Sequence, residues 1–164
     1  MNIEEFWKIV DTAFCESKES VEGRVGCLKT VLSSSSEDDL QSFQSHYDAV
    51  IKKAYTWDLW GAAYIINGGC SDDGFRYFLD WLISGGSKLY DSALNDPESL
   101  ADLPQVEDAE NESYGYIALE VFEERGFGEI ERDFSVELSM PAGEEWEEEQ
   151  LGELFPKLSK IYEY

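Results

Sequence analysis

Positive charge is what this sequence has least of. Of its 164 residues only 12 are Lys or Arg, against 36 Asp or Glu, and the formal net charge is −24. A surface of that sign repels phosphate backbones and anionic headgroups, so we expect no nucleic acid partner and no membrane partner. Lys52-Lys53 is the one adjacent basic pair, too little for a basic–aromatic nucleic-acid patch. Histidine occurs once, at His46, which leaves few routes to a base-assisted nucleophile. Cysteine occurs three times, at Cys15, Cys27 and Cys70. An odd count with no C-x-x-C pair is neither a disulfide framework nor a zinc pattern. No apolar run reaches the roughly 18 residues a bilayer crossing needs, and no basic segment leading into an apolar one opens the chain. These absences lead to the expectation of a soluble, cytoplasmic protein in a reducing compartment, with no cofactor implied.

Apolar material is not scarce. Hydrophobic residues make up 43% of the chain, with nine Phe, nine Tyr and five Trp, so wholesale disorder is excluded despite the charge. The length suits one domain spanning residues 1–164 with a core that needs no staples. The acid is uneven. Residues 1–100 hold 17 acidic and 8 basic side chains, whereas residues 101–164 hold 19 and 4.

Helical spacing recurs along the chain. Asn2 with Glu5 reads as a capping box, followed by a stripe of Ile3, Phe6, Trp7, Val10, Ala13 and Phe14. A second helix is expected from Ser20, although Gly23 and Gly26 each weaken it by about 1 kcal/mol against Ala. The Ser33–Ser36 run connects to a third helix capped by Ser36 and striped by Leu40, Phe43, Tyr47, Val50, Ile51 and Ala54. A fourth helix, Trp57 to Asn67, is apolar almost all round, as in a helix buried on several sides, and Asn67-Gly68-Gly69 ends it. Ser71 or Asp72 then caps a fifth, with Phe75, Phe78, Leu79, Leu82 and Ile83 as its buried stripe. A short sixth helix precedes Asp96-Pro97, and residues 99–112 read as an acidic, partly irregular region. A seventh carries Tyr114, Ile117, Ala118, Val121 and Phe122 and stops at Gly126. Residues 129–138 partly alternate and could form one short strand-like segment. A last amphipathic helix is expected over 144–162, its first turns rich in Glu and Pro156 placed to kink or interrupt it. The pattern predicts an all-α fold, an orthogonal bundle of about seven to eight helices.

The run Trp57–Gly86, WDLWGAAYIINGGCSDDGFRYFLDWLISGG, resembles the bacterial family known as domain of unknown function 4240. The opening EEFWKIVDTA, the block KLYDSALNDPESLA and the closing LFPKLSKIY carry the same likeness. The resemblance implies one mostly helical domain of bacterial origin. It transfers no catalytic residue.

Candidate chemistry gathers in two places. Around the Gly68–Gly74 turn, Trp57, Asp58, Trp60, Cys70, Asp72 and Asp73 could form a ligand, hydrolytic or metal site, since paired carboxylates at a helix start can hold a hard cation or activate water. The competing reading is local: Asp near a helix N-terminus is favoured by capping and dipole alone, and neighbours on a helix point about 100° apart. Cys70 as a nucleophile would gain acidity from the helix start but would depend on His46 as base. The second place is the acid run of Glu144, Glu145, Glu147, Glu148 and Glu149, suited to a basic protein and otherwise a solvated face. The sequence therefore reads as a non-enzymatic protein-binding module, of the immunity or antitoxin-like inhibitor kind, for a basic partner. The alternative is a small-ligand or metal-binding domain at the Gly68–Gly74 turn.

Overall fold

In the computed structural model of the chain, residues 1–18, 20–132 and 138–164 are described. Helices α1 (Ile3–Glu16), α2 (Val21–Leu32), α3 (Glu37–Ala54), α4 (Trp57–Ile66), α5 (Asp72–Ser84) and α6 (Ser87–Asn95) follow one another through short turns. A 3-10 turn at Pro97–Asp102 opens the irregular stretch, and a second at Glu112–Tyr116 leads into α7 (Ile117–Glu124). A third 3-10 turn, Glu148–Gln150, runs into the short α8 (Leu151–Leu154) and α9 (Pro156–Ile161). No sheet occurs among the described residues, where the sole β feature is an isolated parallel bridge between Thr56 and Ala142. The fold is an all-α bundle, as the periodicity predicts.

Local chemistry sets the boundaries. The Asn2–Glu5 capping box is present in both directions, Glu5 N–H to Asn2 Oδ1 at 2.9 Å and Asn2 N–H to Glu5 Oε2 at 2.8 Å. Ser20, Ser36, Thr56 and Ser71 cap α2, α3, α4 and α5 through their hydroxyls. Helix α2 survives its glycines because Gly23 is used: a Cβ there would lie 2.9 Å from the Ser17 carbonyl oxygen, so the glycine lets α1 and α2 close on one another. Buried side chains from α1 through α9 merge into one continuous core.

The C-terminal region departs from the expected 144–162 helix. Glu144–Glu147 is irregular, and the helical part is split at Phe155 into α8 and α9. Proline disfavours helical backbone in the residue before it and lacks the N–H that α8 would need to continue. Phe155 accordingly sits at φ −127°, ψ 64°, with Pro156 in the first turn of α9. The dipole argument for Glu144, Glu145 and Glu147 falls with the helix. Of the strand-like reading over 129–138, the described part, 129–132 and Leu138, carries no strand, and 133–137 lies outside the described residues.

Candidate functional site

The aromatic block folds into a stack at the start of α4 and α5. Trp57 and Trp60 lie one turn apart with ring planes 7° from parallel and centroids 5.2 Å apart. Phe75 of α5 continues the stack 5.1 Å from Trp60, and Tyr55 lies against Phe75 at 5.3 Å. Trp146 stands edge-on to both tryptophans and to Tyr64. The indole N–H groups find carbonyls: Trp146 donates to Trp57 O at 2.6 Å and Trp60 to Cys70 O at 3.0 Å. The segment before α8 is thus pinned to the head of α4, helped by the reciprocal backbone bonds Trp57 N–H to Ala142 O and Ala142 N–H to Tyr55 O. Gly61 makes the approach feasible, since a Cβ there would lie 2.6 Å from the Phe155 ring.

Around this stack the carboxylates of the Gly68–Gly74 turn do not converge. Asp58, Asp72 and Asp73 are all exposed, on the first turns of two different helices. The α5 cap is Ser71, whose hydroxyl accepts from Gly74 N–H at 3.2 Å, so neither aspartate serves as the capping residue. Asn67 ties down the acidic loop, accepting from Ala109 N–H at 2.9 Å through Oδ1. Burial, reinforced by Glu110 and Asp72, pushes the Cys70 thiol up to about 12, the opposite of an activated nucleophile. His46 is engaged elsewhere, its Nε2 3.0 Å from the Met1 carbonyl oxygen. Among the described residues no three His, Cys, Asp or Glu side chains lie together as a metal would require.

The acidic run is placed differently from its expected helix but stays outward. Glu144, Glu145, Glu147, Glu148 and Glu149 are all exposed, and among the described residues none pairs with a cation. Burial holds the Tyr64 and Tyr164 phenols above their ordinary pKa, followed by a hydrogen bond to Glu148 at Tyr64 and by the Glu148 charge at Tyr164. Leu154 and Tyr164 remain exposed on the same C-terminal segment, at 53% and 43%.

A polar cluster that sequence reasoning missed lies in the core. Asp80 on α5 is 2% exposed; it accepts from the Tyr47 hydroxyl of α3 at 2.5 Å and faces Arg76 Nε at 3.6 Å. Gly115 of the second 3-10 turn comes so close that a Cβ would sit 2.7 Å from Asp80 Oδ1. Burial raises the Asp80 carboxyl to about 6, with Arg76 and the Tyr47 hydrogen bond opposing the rise. One helical turn further, Ser84 receives Arg24 Nη1–H at 3.2 Å and Asn111 Nδ2–H at 3.4 Å, while the Arg24 guanidinium lies 5.1 Å from the Phe14 ring centre. The signal available was one acid in the apolar run Phe78–Ile83, a position where an unburied carboxylate has no room.

An all-α, strongly acidic protein whose polar core side chains join three segments is the class the geometry defines. Residues 1–124 of the 164 match the model of a family described as a protein of unknown function (DUF4240), and the chain belongs to that family. No curated protein and no solved structure matches it. The Asp80 cluster and the Trp57–Trp60 pair fall inside the matched region, and Trp146 with the Glu144–Glu149 run falls outside it.

Proposed function

We propose that the protein is a non-enzymatic binding module for a basic protein, acting as an inhibitor or adaptor. The observation that carries this reading is the five glutamates of the Glu144–Glu149 segment: exposed, without a cation partner among the described residues, and on a stretch anchored by Trp146 to the head of α4. A charged segment already fixed in place loses less conformational freedom on binding than a loose one, which favours affinity. Exposed Leu154 and Tyr164 nearby supply the apolar contact that hot spots need beside the charge. The net charge of −24 would hasten encounter with a cationic surface and repel phosphate polymers. An immunity or antitoxin-like role is the particular form this chemistry fits.

The test is capture from the native host with the intact chain as bait, at low and moderate salt, beside a variant with Glu144, Glu145, Glu147, Glu148 and Glu149 changed to Lys. A stoichiometric basic protein, held more strongly at low salt and lost by the variant, is the expected result. Recovery of no basic partner at either salt, or equal recovery by the variant, overturns the reading.

A further inference from the structure

The buried carboxyl of Asp80 sits where three segments of chain meet, and its surroundings are poor in donors. An ionised carboxylate has about four acceptor sites. Among the described residues Asp80 has one hydroxyl donor, Tyr47 of α3, at 2.5 Å, and the Arg76 guanidinium from its own helix at 3.6 Å, beyond hydrogen-bond length. The third neighbour, the Glu112–Tyr116 turn, offers the Cα of Gly115 at close range and the negative charge of Glu112. Tyr114 of that turn lies behind Tyr47, ring centres 6.3 Å apart, and among the described residues its fully buried hydroxyl has no hydrogen-bond partner. A charge taken out of water with so little compensation favours its neutral form.

We propose that Asp80 is a proton-sensitive latch: on mild acidification it takes up a proton, its repulsion with Glu112 is relieved, and the Glu112–Tyr116 turn is held more tightly against α3 and α5. The sign follows from the folded carboxyl lying above its unfolded value. The fold then binds the proton more tightly than the unfolded chain, so this group's contribution grows as pH falls through about 6 toward the ordinary Asp value near 4 and is lost as pH rises. That direction is opposite to the usual ion-paired aspartate. The ratio of the folding constants of the wild type and Asp80→Asn cancels the contributions of carboxylates remote from residue 80.

Two measurements test it on the full chain. Carboxyl carbon NMR should place the Asp80 midpoint near 6 in the wild type, and higher still in Tyr47→Phe, which removes the one close donor. Urea unfolding should show the folding constant of the wild type, relative to Asp80→Asn, rising roughly twentyfold between about pH 7.5 and about pH 4.5. Amide exchange at Gly115 and Tyr116, corrected for the intrinsic pH dependence, should slow over the same interval. An Asp80 midpoint below about 4, or turn amides whose protection ignores its titration, overturns the proposal. If Asp80→Asn does not fold, the wild-type midpoint, its shift in Tyr47→Phe and the amide data decide alone.

Discussion

A methyl group at residue 61 would lie 2.6 Å from the Phe155 ring, 3.1 Å from the Trp146 indole nitrogen and 3.2 Å from Leu151. Gly61→Ala forces the C-terminal segment outward and is expected to lower stability by about 1–3 kcal/mol, the usual cost of overpacking. Gly26→Ala is the control, because none of the described residues stands within 4 Å of its Cβ and the residue lies inside α2. There the gain in helix propensity should raise stability by about 0.5–1 kcal/mol. Urea midpoints of the two variants against the wild type check both signs. From sequence, Gly61 reads only as a small residue that lets another helix approach; which segment arrives is a non-local fact that spacing cannot supply. Asp80 was hidden for a related reason. Residues 78–84 of α5 are all buried, so that half of the helix has no solvent face for an acid to occupy, and a 3.6-residue stripe assumes one.

For whole elements the helix starts were the most legible features, because a cap is a short-range contract between a hydroxyl or amide and an N–H three residues on. Asn2, Ser20, Ser36 and the Ser71 alternative are all found as caps. At α5 the structure distinguishes Ser71 from the two aspartates that follow it. Ser71→Ala should cost about 1 kcal/mol, since it orphans Gly74 N–H. Asp72→Ala and Asp73→Ala remove only favourable charge near the helix start and should cost a few tenths each, about 0.3–1 kcal/mol at low salt and less at high salt. Denaturation at two ionic strengths separates these cases: equal losses for all three variants, with one common salt dependence, would contradict the assignment. The C-terminal helix was the least legible element. Pro156 marked its interruption, but the irregular Glu144–Glu147 stretch is set by Trp146 reaching the carbonyl of Trp57, a partner 89 residues away.

Over the whole molecule, thirty-six acids against twelve bases set the electrostatics. The ion pairs among the described residues involve few of those acids, so most of the negative charge repels itself across the surface. Added salt screens that repulsion within about 10 Å at 0.1 M, and the urea midpoint should therefore rise from low to moderate ionic strength. The same salt should weaken capture of a cationic partner. The two responses have opposite signs and one origin, and a protein stabilised by surface ion pairs would show the reverse of the first.

The tryptophan arrangement has an optical consequence. Two indoles stacked within 5.2 Å, with a third set nearly perpendicular to both, couple their electronic transitions, so their combined circular dichroism is not the sum of three isolated chromophores. One member of that trio belongs to the C-terminal segment and two to α4. The chain therefore carries a built-in reporter, without any label, of whether its acidic segment is seated.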